Sequence, residues 1–167
     1  MRLGYSKMTM GRAYDELLAL DLAKPVTSGK ERRIELVAAG KDFWERIQLH
    51  LVSPVKRTVI LVEDLPEGNT LQAGFSALSH YTRLAGPARR AYAIPASRQI
   101  AKTLGSGLPR EEVEQGNGCE VELWSYDPGL LTENGFVDRL SLFLCLRDDH
   151  DERVEQALKE LVEGVSW

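Results

Sequence analysis

Apolar residues recur at positions 10, 13, 14, 17 and 18, the spacing of one helical face, shortly after a serine suited to capping a helix, Ser6. The pattern predicts a helix over residues 7–18 that buries Met10, Ala13, Tyr14 and Leu17. Lys7, Thr9 and Arg12 would face outward, beside a Gly11 that lets another surface approach closely. Leu22-Ala23-Lys24-Pro25-Val26 then reads as a short strand and Thr27-Ser28-Gly29-Lys30 as a turn. Glu31-Arg32-Arg33-Ile34-Glu35-Leu36-Val37 reads as the returning strand. A second helix over residues 39–49 completes a helix, a β-hairpin with a basic tip and a helix.

A different pattern begins after Leu51-Val52-Ser53-Pro54-Val55, where proline biases its neighbour to extended geometry and marks a seam. The β-branched run Arg57-Thr58-Val59-Ile60-Leu61-Val62-Glu63 predicts a buried strand, and residues 64–69 a turn. Helical periodicity through Ala73, Ala77, Leu78, Tyr81 and Leu84 predicts a helix over residues 71–85, closed by Gly86-Pro87. Arg90-Ala91-Tyr92-Ala93-Ile94 and the alternating run from Cys119 to Tyr126 read as two more strands. Between them, Ser97 is placed to cap a short helix to Leu104, followed by a polar loop region to Gly118. Residues 138–146 fit either a period-two strand or a helix capped by Asp138. Residues 151–162 are an amphipathic helix, with Val154, Ala157, Leu158, Leu161 and Val162 on one face.

The order of elements predicts an α+β chain: a partial winged helix-turn-helix over residues 1–53, then an α/β domain over residues 54–167 with a small mixed sheet and flanking helices. At 167 residues and 43% hydrophobic, the chain has enough apolar mass for a real core. No apolar run reaches membrane-spanning length and the N-terminus has no signal-peptide core, so a cytoplasmic location without membrane association is expected. The net charge of -4 averages two unlike segments: residues 1–57 hold 11 Lys/Arg against 7 Asp/Glu, and the remainder 10 against 18. Such asymmetry suits one segment facing a polyanion while the other does different work.

The run Leu3-Gly4-Tyr5-Ser6-Lys7-Met8-Thr9-Met10-Gly11-Arg12, with Asp15-Glu16-Leu17 and Leu20-Asp21-Leu22-Ala23, resembles the recognition helix and wing entry of MarR-type winged helix-turn-helix regulators. Gly29, Lys30, Arg32 and Arg33 match the basic wing, and Ala39-Gly40-Lys41 the helix start that follows it. Asp21 stands where that family often has Gly, and Gly11 where Ser is common. The resemblance implies that Thr and Arg on the first helix face DNA. A winged helix-turn-helix also needs helices before its recognition helix, and only five residues precede Ser6. The expectation is therefore a fragment, a late start, or a domain that borrows its missing core from a partner subunit. In the second part, Gly74-Phe75-Ser76-Ala77-Leu78-Ser79-His80-Tyr81-Thr82-Arg83-Leu84 and the strand at 90–95 resemble the C-terminal domain of AbiEi-type antitoxins. Asp138-Arg139-Leu140-Ser141-Leu142-Phe143-Leu144 is similar to that family's leucine-rich helix, which inclines the ambiguous segment towards helix.

The candidate DNA-binding residues are Ser6, Lys7, Thr9, Arg12, Lys30, Arg32 and Arg33. A helix N-terminus offers free N–H groups to a phosphate, with Lys7 adding charge, while Thr9 and Arg12 suit a thymine methyl and a guanine edge. The hairpin cations would follow phosphates or enter the minor groove. The alternative is a solvated basic hairpin beside a structural helix.

Catalytic signatures are weaker. Ser76 and His80 lie one helical turn apart, with Asp64 imaginable as a third member, but no nucleophile elbow accompanies them; His80 reads better as bridging polar groups at the edge of the core. Glu120 and Glu122 share a strand face and read as solvated. His50, His80 and His150 are dispersed, and Cys119 and Cys145 lie 26 positions apart as expected buried thiols. No metal, cofactor or catalytic residue is therefore expected. The leading expectation is a bacterial-type transcriptional regulator, binding double-stranded DNA as a homodimer. The alternative is an antitoxin or protein-interaction module whose acidic second domain neutralises a toxin partner; an enzyme comes third.

Overall fold

A computed structural model describes residues 5–28, 31–61, 70–97, 118–132 and 134–167. The chain is α+β and divides into two compact units, residues 1–51 with Trp167, and residues 52–166. The expected short helix after Ser97, the turn at 64–69 and the polar region to residue 117 lie outside the described residues, as do Val62 and Glu63.

In the first unit α1 spans Lys7–Ala19, β1 Ala23–Ser28, β2 Glu31–Leu36 and α2 Gly40–Ile47. Ser6 caps α1 through its side chain, which accepts the Thr9 amide at 3.1 Å. At the other end the Leu22 amide donates to the Leu17 carbonyl at 2.9 Å and the Asp21 amide to that of Leu18 at 3.1 Å. This is the Schellman arrangement, and it places Asp21 in the left-handed region at φ 54°. A glycine would occupy that conformation without strain.

β1 and β2 pair antiparallel, with Pro25 opposite Ile34 and Val26 opposite Arg33. The expected apolar face of α1 is corrected here. No residue of the helix is buried, and Met10 is 52% exposed. The half-covered positions are Gly11, Tyr14, Leu17 and Leu18. The helix approaches the hairpin on that side, with the Tyr14 hydroxyl donating to the Arg33 carbonyl at 3.4 Å, so Met10 and Ala13 are turned to solvent.

The second unit has a mixed sheet in the order β3-β6-β5-β4, formed by Val55–Leu61, Cys119–Trp124, Arg90–Pro95 and Leu71–Gln72. β3 runs antiparallel to β6 and β4 to β5, whereas β5 and β6 are parallel. Among the described residues, three α-helices accompany it: α3 (Gly74–Tyr81), α4 (Arg139–Leu146) and α5 (Glu152–Glu163). The ambiguous segment is thus helical; Asp138 accepts the Ser141 amide at 2.9 Å and opens it.

The helix expected from residue 71 starts later because Leu71 and Gln72 find sheet partners in Ala93 and Tyr92. It ends earlier because Thr82 is extended, its hydroxyl donating to the Leu78 carbonyl at 2.8 Å. Gly74, at φ +48°, is both conformationally required and tightly placed: a Cβ there would lie 3.1 Å from Glu122 Oε1.

Alternation along β6 sends Trp124 to the helices and Val121 and Leu123 to the opposite face. Trp124 joins Leu78, Val137, Leu142, Leu158 and Leu161 in one cluster, while Val59, Tyr92, Ile94, Cys119, Val121 and Leu123 form another. Each fully buried large apolar side chain stabilises by about 1.5–3 kcal/mol, so this unit's stability rests on these clusters.

Candidate nucleic-acid interface

The first turn of α1 concentrates the features of an anion-binding surface. A helix leaves four N–H groups without intrahelical partners; Ser6 Oγ satisfies that of Thr9, and no acidic residue stands in the turn. Lys7, Thr9 and Arg12 are exposed, as is Ser6 itself. Ser6 Oγ also lies 2.9 Å from Thr9 Oγ1, which engages the Thr9 hydroxyl within the cap. Thr9 then has its methyl group to offer a partner. A side chain at Gly11 would meet nothing within 4 Å, so close access at this position has no local obstruction.

Of the hairpin cations, Arg33 is exposed on β2 and its carbonyl is joined to α1 through Tyr14. Arg32 is described by its backbone, opposite Thr27, and Lys30 lies outside the described residues. α2 closes the unit with buried Trp44, its exposed side carrying the Lys41–Glu45 pair at 3.8 Å.

The basic character of this unit is smaller than the charge pattern suggests. Lys56 lies on β3 and Arg57 follows it there, so both belong to the second unit. Residues 1–51 alone hold 9 Lys/Arg against 7 Asp/Glu. Within α1 the cations Lys7 and Arg12 occupy the N-terminal half, and Asp15 and Glu16 the C-terminal half.

The Ser76 and His80 pair takes another form than nucleophile and base. Ser76 is buried and its Oγ accepts the Ala91 amide at 2.9 Å, tying α3 to β5. His80 is exposed and stacks on Phe136 with centroids 3.7 Å apart and planes 5° from parallel, instead of bridging polar groups. Asp64 lies outside the described residues.

Glu122 is a correction: it is 7% exposed and not solvated. Its Oε2 accepts from Trp124 Nε1 at 2.8 Å, an indole that itself lies in the core. Burial pushes its carboxyl up to about 7, the Trp124 hydrogen bond acting the other way and the Glu120 charge reinforcing the rise. The sequence held the signal, since residues 122 and 124 must share a face.

A second polar link joins sheet and helix, Tyr126 OH to Ser141 Oγ at 2.6 Å. Cys119 is buried and Cys145 half-buried, both as free thiols; burial pushes the Cys145 thiol above its ordinary range.

Among the described residues, no three His, Cys, Asp or Glu side chains gather as they would around a metal ion, and no helix is long and apolar enough to cross a membrane. Comparison with protein-family models, curated proteins and solved structures finds no match.

Proposed function

We propose that the chain is a DNA-binding transcriptional regulator. Its N-terminal unit meets double-stranded DNA, and its second unit is a non-catalytic effector or oligomerisation domain. The observation that carries the reading is the N-terminal half of α1, where a serine cap, an acid-free first turn and exposed Lys7, Thr9 and Arg12 occur together.

The N-terminal N–H groups and the positive end of the helix dipole would hold a phosphate, with Lys7 adding charge. Thr9, its hydroxyl engaged by Ser6, would offer its methyl to thymine, and Arg12 its fork to guanine O6 and N7. Lys30, Arg32 and Arg33 would follow the backbone beside the groove. A homodimer would bring two such surfaces to two half-sites. With only two excess cations in residues 1–51, affinity in this reading depends on local placement more than on the overall field.

The test is fluorescence anisotropy of the full chain on duplex DNA from its own upstream region across a salt series. Saturable binding is expected at low salt, weakening steeply as salt rises, with log K falling by about 0.9 per log unit of salt for each phosphate engaged. Arg33→Ala is expected to lower that slope by about one. A full-length chain that shows no saturable binding at about 50 mM salt overturns the proposal.

A further inference from the structure

The second unit holds a cleft of about 670 Å³ where the ends of three helices meet. His80 and Tyr81 contribute at the end of α3, Arg139 and Leu140 at the start of α4, and Val165 and Ser166 just past α5; Leu131, Asn134 and Asp138 also line it. We infer that this cleft binds a small monocarboxylate with an apolar body, Arg139 receiving the carboxylate. The inference does not depend on DNA binding.

Arg139 is held in position before any ligand arrives. Its guanidinium carbon lies 4.3 Å from the Tyr81 ring centroid, and Nη1 donates to the Leu161 carbonyl at 3.3 Å. Gly164 makes room for it, because a Cβ there would overlap Nη1. A guanidinium has five N–H groups, and only one is used in a hydrogen bond among the described residues, where no carboxylate pairs with it.

Asp138, although it lines the cleft, is not that partner. Its Oδ1 accepts the Ser141 amide at 2.9 Å, and its Oδ2 is buried with no hydrogen-bond partner among the described residues. Arg139 therefore supplies the cation of a half-enclosed site, and its planar fork matches a carboxylate in bidentate geometry.

Two observations narrow the ligand. Tyr81, Leu131, Leu140 and Val165 provide apolar wall beside the guanidinium, the side that an apolar body would cover, while His80, Asn134, Asp138 and Ser166 make the rest of the lining polar. The cleft also borders the C-terminal end of α5, the negative end of that helix dipole. A single negative charge fits there better than the dianion of a phosphate monoester.

The test titrates the full chain with benzoate, phenyl phosphate and benzyl alcohol, followed by amide NMR shifts. Benzoate is expected to give saturable shifts around Tyr81, Arg139 and residues 164–166, with a millimolar Kd, a range reasonable for a small anion. Benzyl alcohol should bind at least about tenfold more weakly, since it lacks the charge-assisted pair. Arg139→Gln should abolish the benzoate shifts, with the amide spectrum reporting whether the variant is folded; Arg139→Lys, which keeps the charge but not the fork, should weaken binding several-fold.

Benzoate shifts that do not saturate, or that cluster elsewhere, overturn the inference. So does phenyl phosphate binding as tightly as benzoate, or benzoate binding that survives in folded Arg139→Gln. The alcohol comparison uses unaltered protein, so it decides the point even if the Arg139 variants do not fold.

Discussion

The two units are held together by different means. Among the described residues up to 51, only Leu22, Ala23 and Trp44 are buried, and Met8, Met10, Leu36 and Leu49 stand well exposed. Its elements are fixed instead by local devices: the Ser6 cap, the Schellman closure at Asp21 and the β1–β2 ladder. Residues 52–166 contain two buried clusters, with side chains such as Trp124, Leu78 and Leu142 wholly enclosed. Burial gives the second unit resistance to change, while the first keeps most of its side chains at the surface, where a partner can be read.

The sharpest way to break this comparison is to create a cavity. Leu142→Ala removes a wholly enclosed side chain and is expected to destabilise by about 3–5 kcal/mol in urea melts. Met10→Ala, at 52% exposure, should change stability by less than about 0.5 kcal/mol. Equal effects would mean that the first unit has a core of its own.

Glu122 comes next. Its folded-state carboxyl titrates at about 7 against an ordinary 4.5, so between those values the folded protein keeps a proton that the unfolded chain has released. Stability is expected to fall as pH rises through that window, by a total on the order of 3 kcal/mol from this group, and then to level off. Urea melts at pH 5 and pH 8 measure the fall, and Glu122→Gln should flatten it. A slope unchanged in Glu122→Gln would place the titration elsewhere.

Smaller effects are expected in the first unit. Ser6→Ala removes the cap and should cost about 1 kcal/mol of helix stability, seen as faster hydrogen exchange at the Thr9 amide. Asp21→Gly relieves the left-handed backbone at φ 54° and should stabilise by about 0.5 kcal/mol in the same exchange measurement.

Local signals carried much of the fold. Ser6 and Asp138 both cap helices in the structure, because capping depends on only the next few residues. The α5 pattern placed Val154, Ala157, Leu158, Leu161 and Val162 on one face; the first four are buried and Val162 is half-buried. What failed depended on partners distant in sequence. The direction from which the hairpin meets α1 decided that Gly11, Tyr14, Leu17 and Leu18 are half-covered, a choice that periodicity at 10, 13, 14 and 17 could not make. Leu71 and Gln72 had helical company on one side, but β5 offered their backbone a ladder.

The candidate site shows the same division. Exposure of Lys7, Thr9 and Arg12 was legible because it lies within the first two turns of a capped helix, and α1 bears it out. The full size of the basic excess was not, since Lys56 and Arg57 fall on β3. Burial of Glu122 required knowing that Trp124 lies inside. The setting of Arg139 required three helix ends that are far apart in sequence.

The central claim is that the first unit, and not the second, contacts DNA. Its most direct test removes one exposed cation from each unit and measures the full chain's affinity for duplex DNA by anisotropy at fixed salt. Arg12→Ala is expected to weaken binding by about 1–3 kcal/mol, about 5- to 150-fold, and Lys56→Ala by less than about threefold. Lys56→Ala weakening binding as much as Arg12→Ala, or Arg12→Ala leaving it unchanged, would contradict the account.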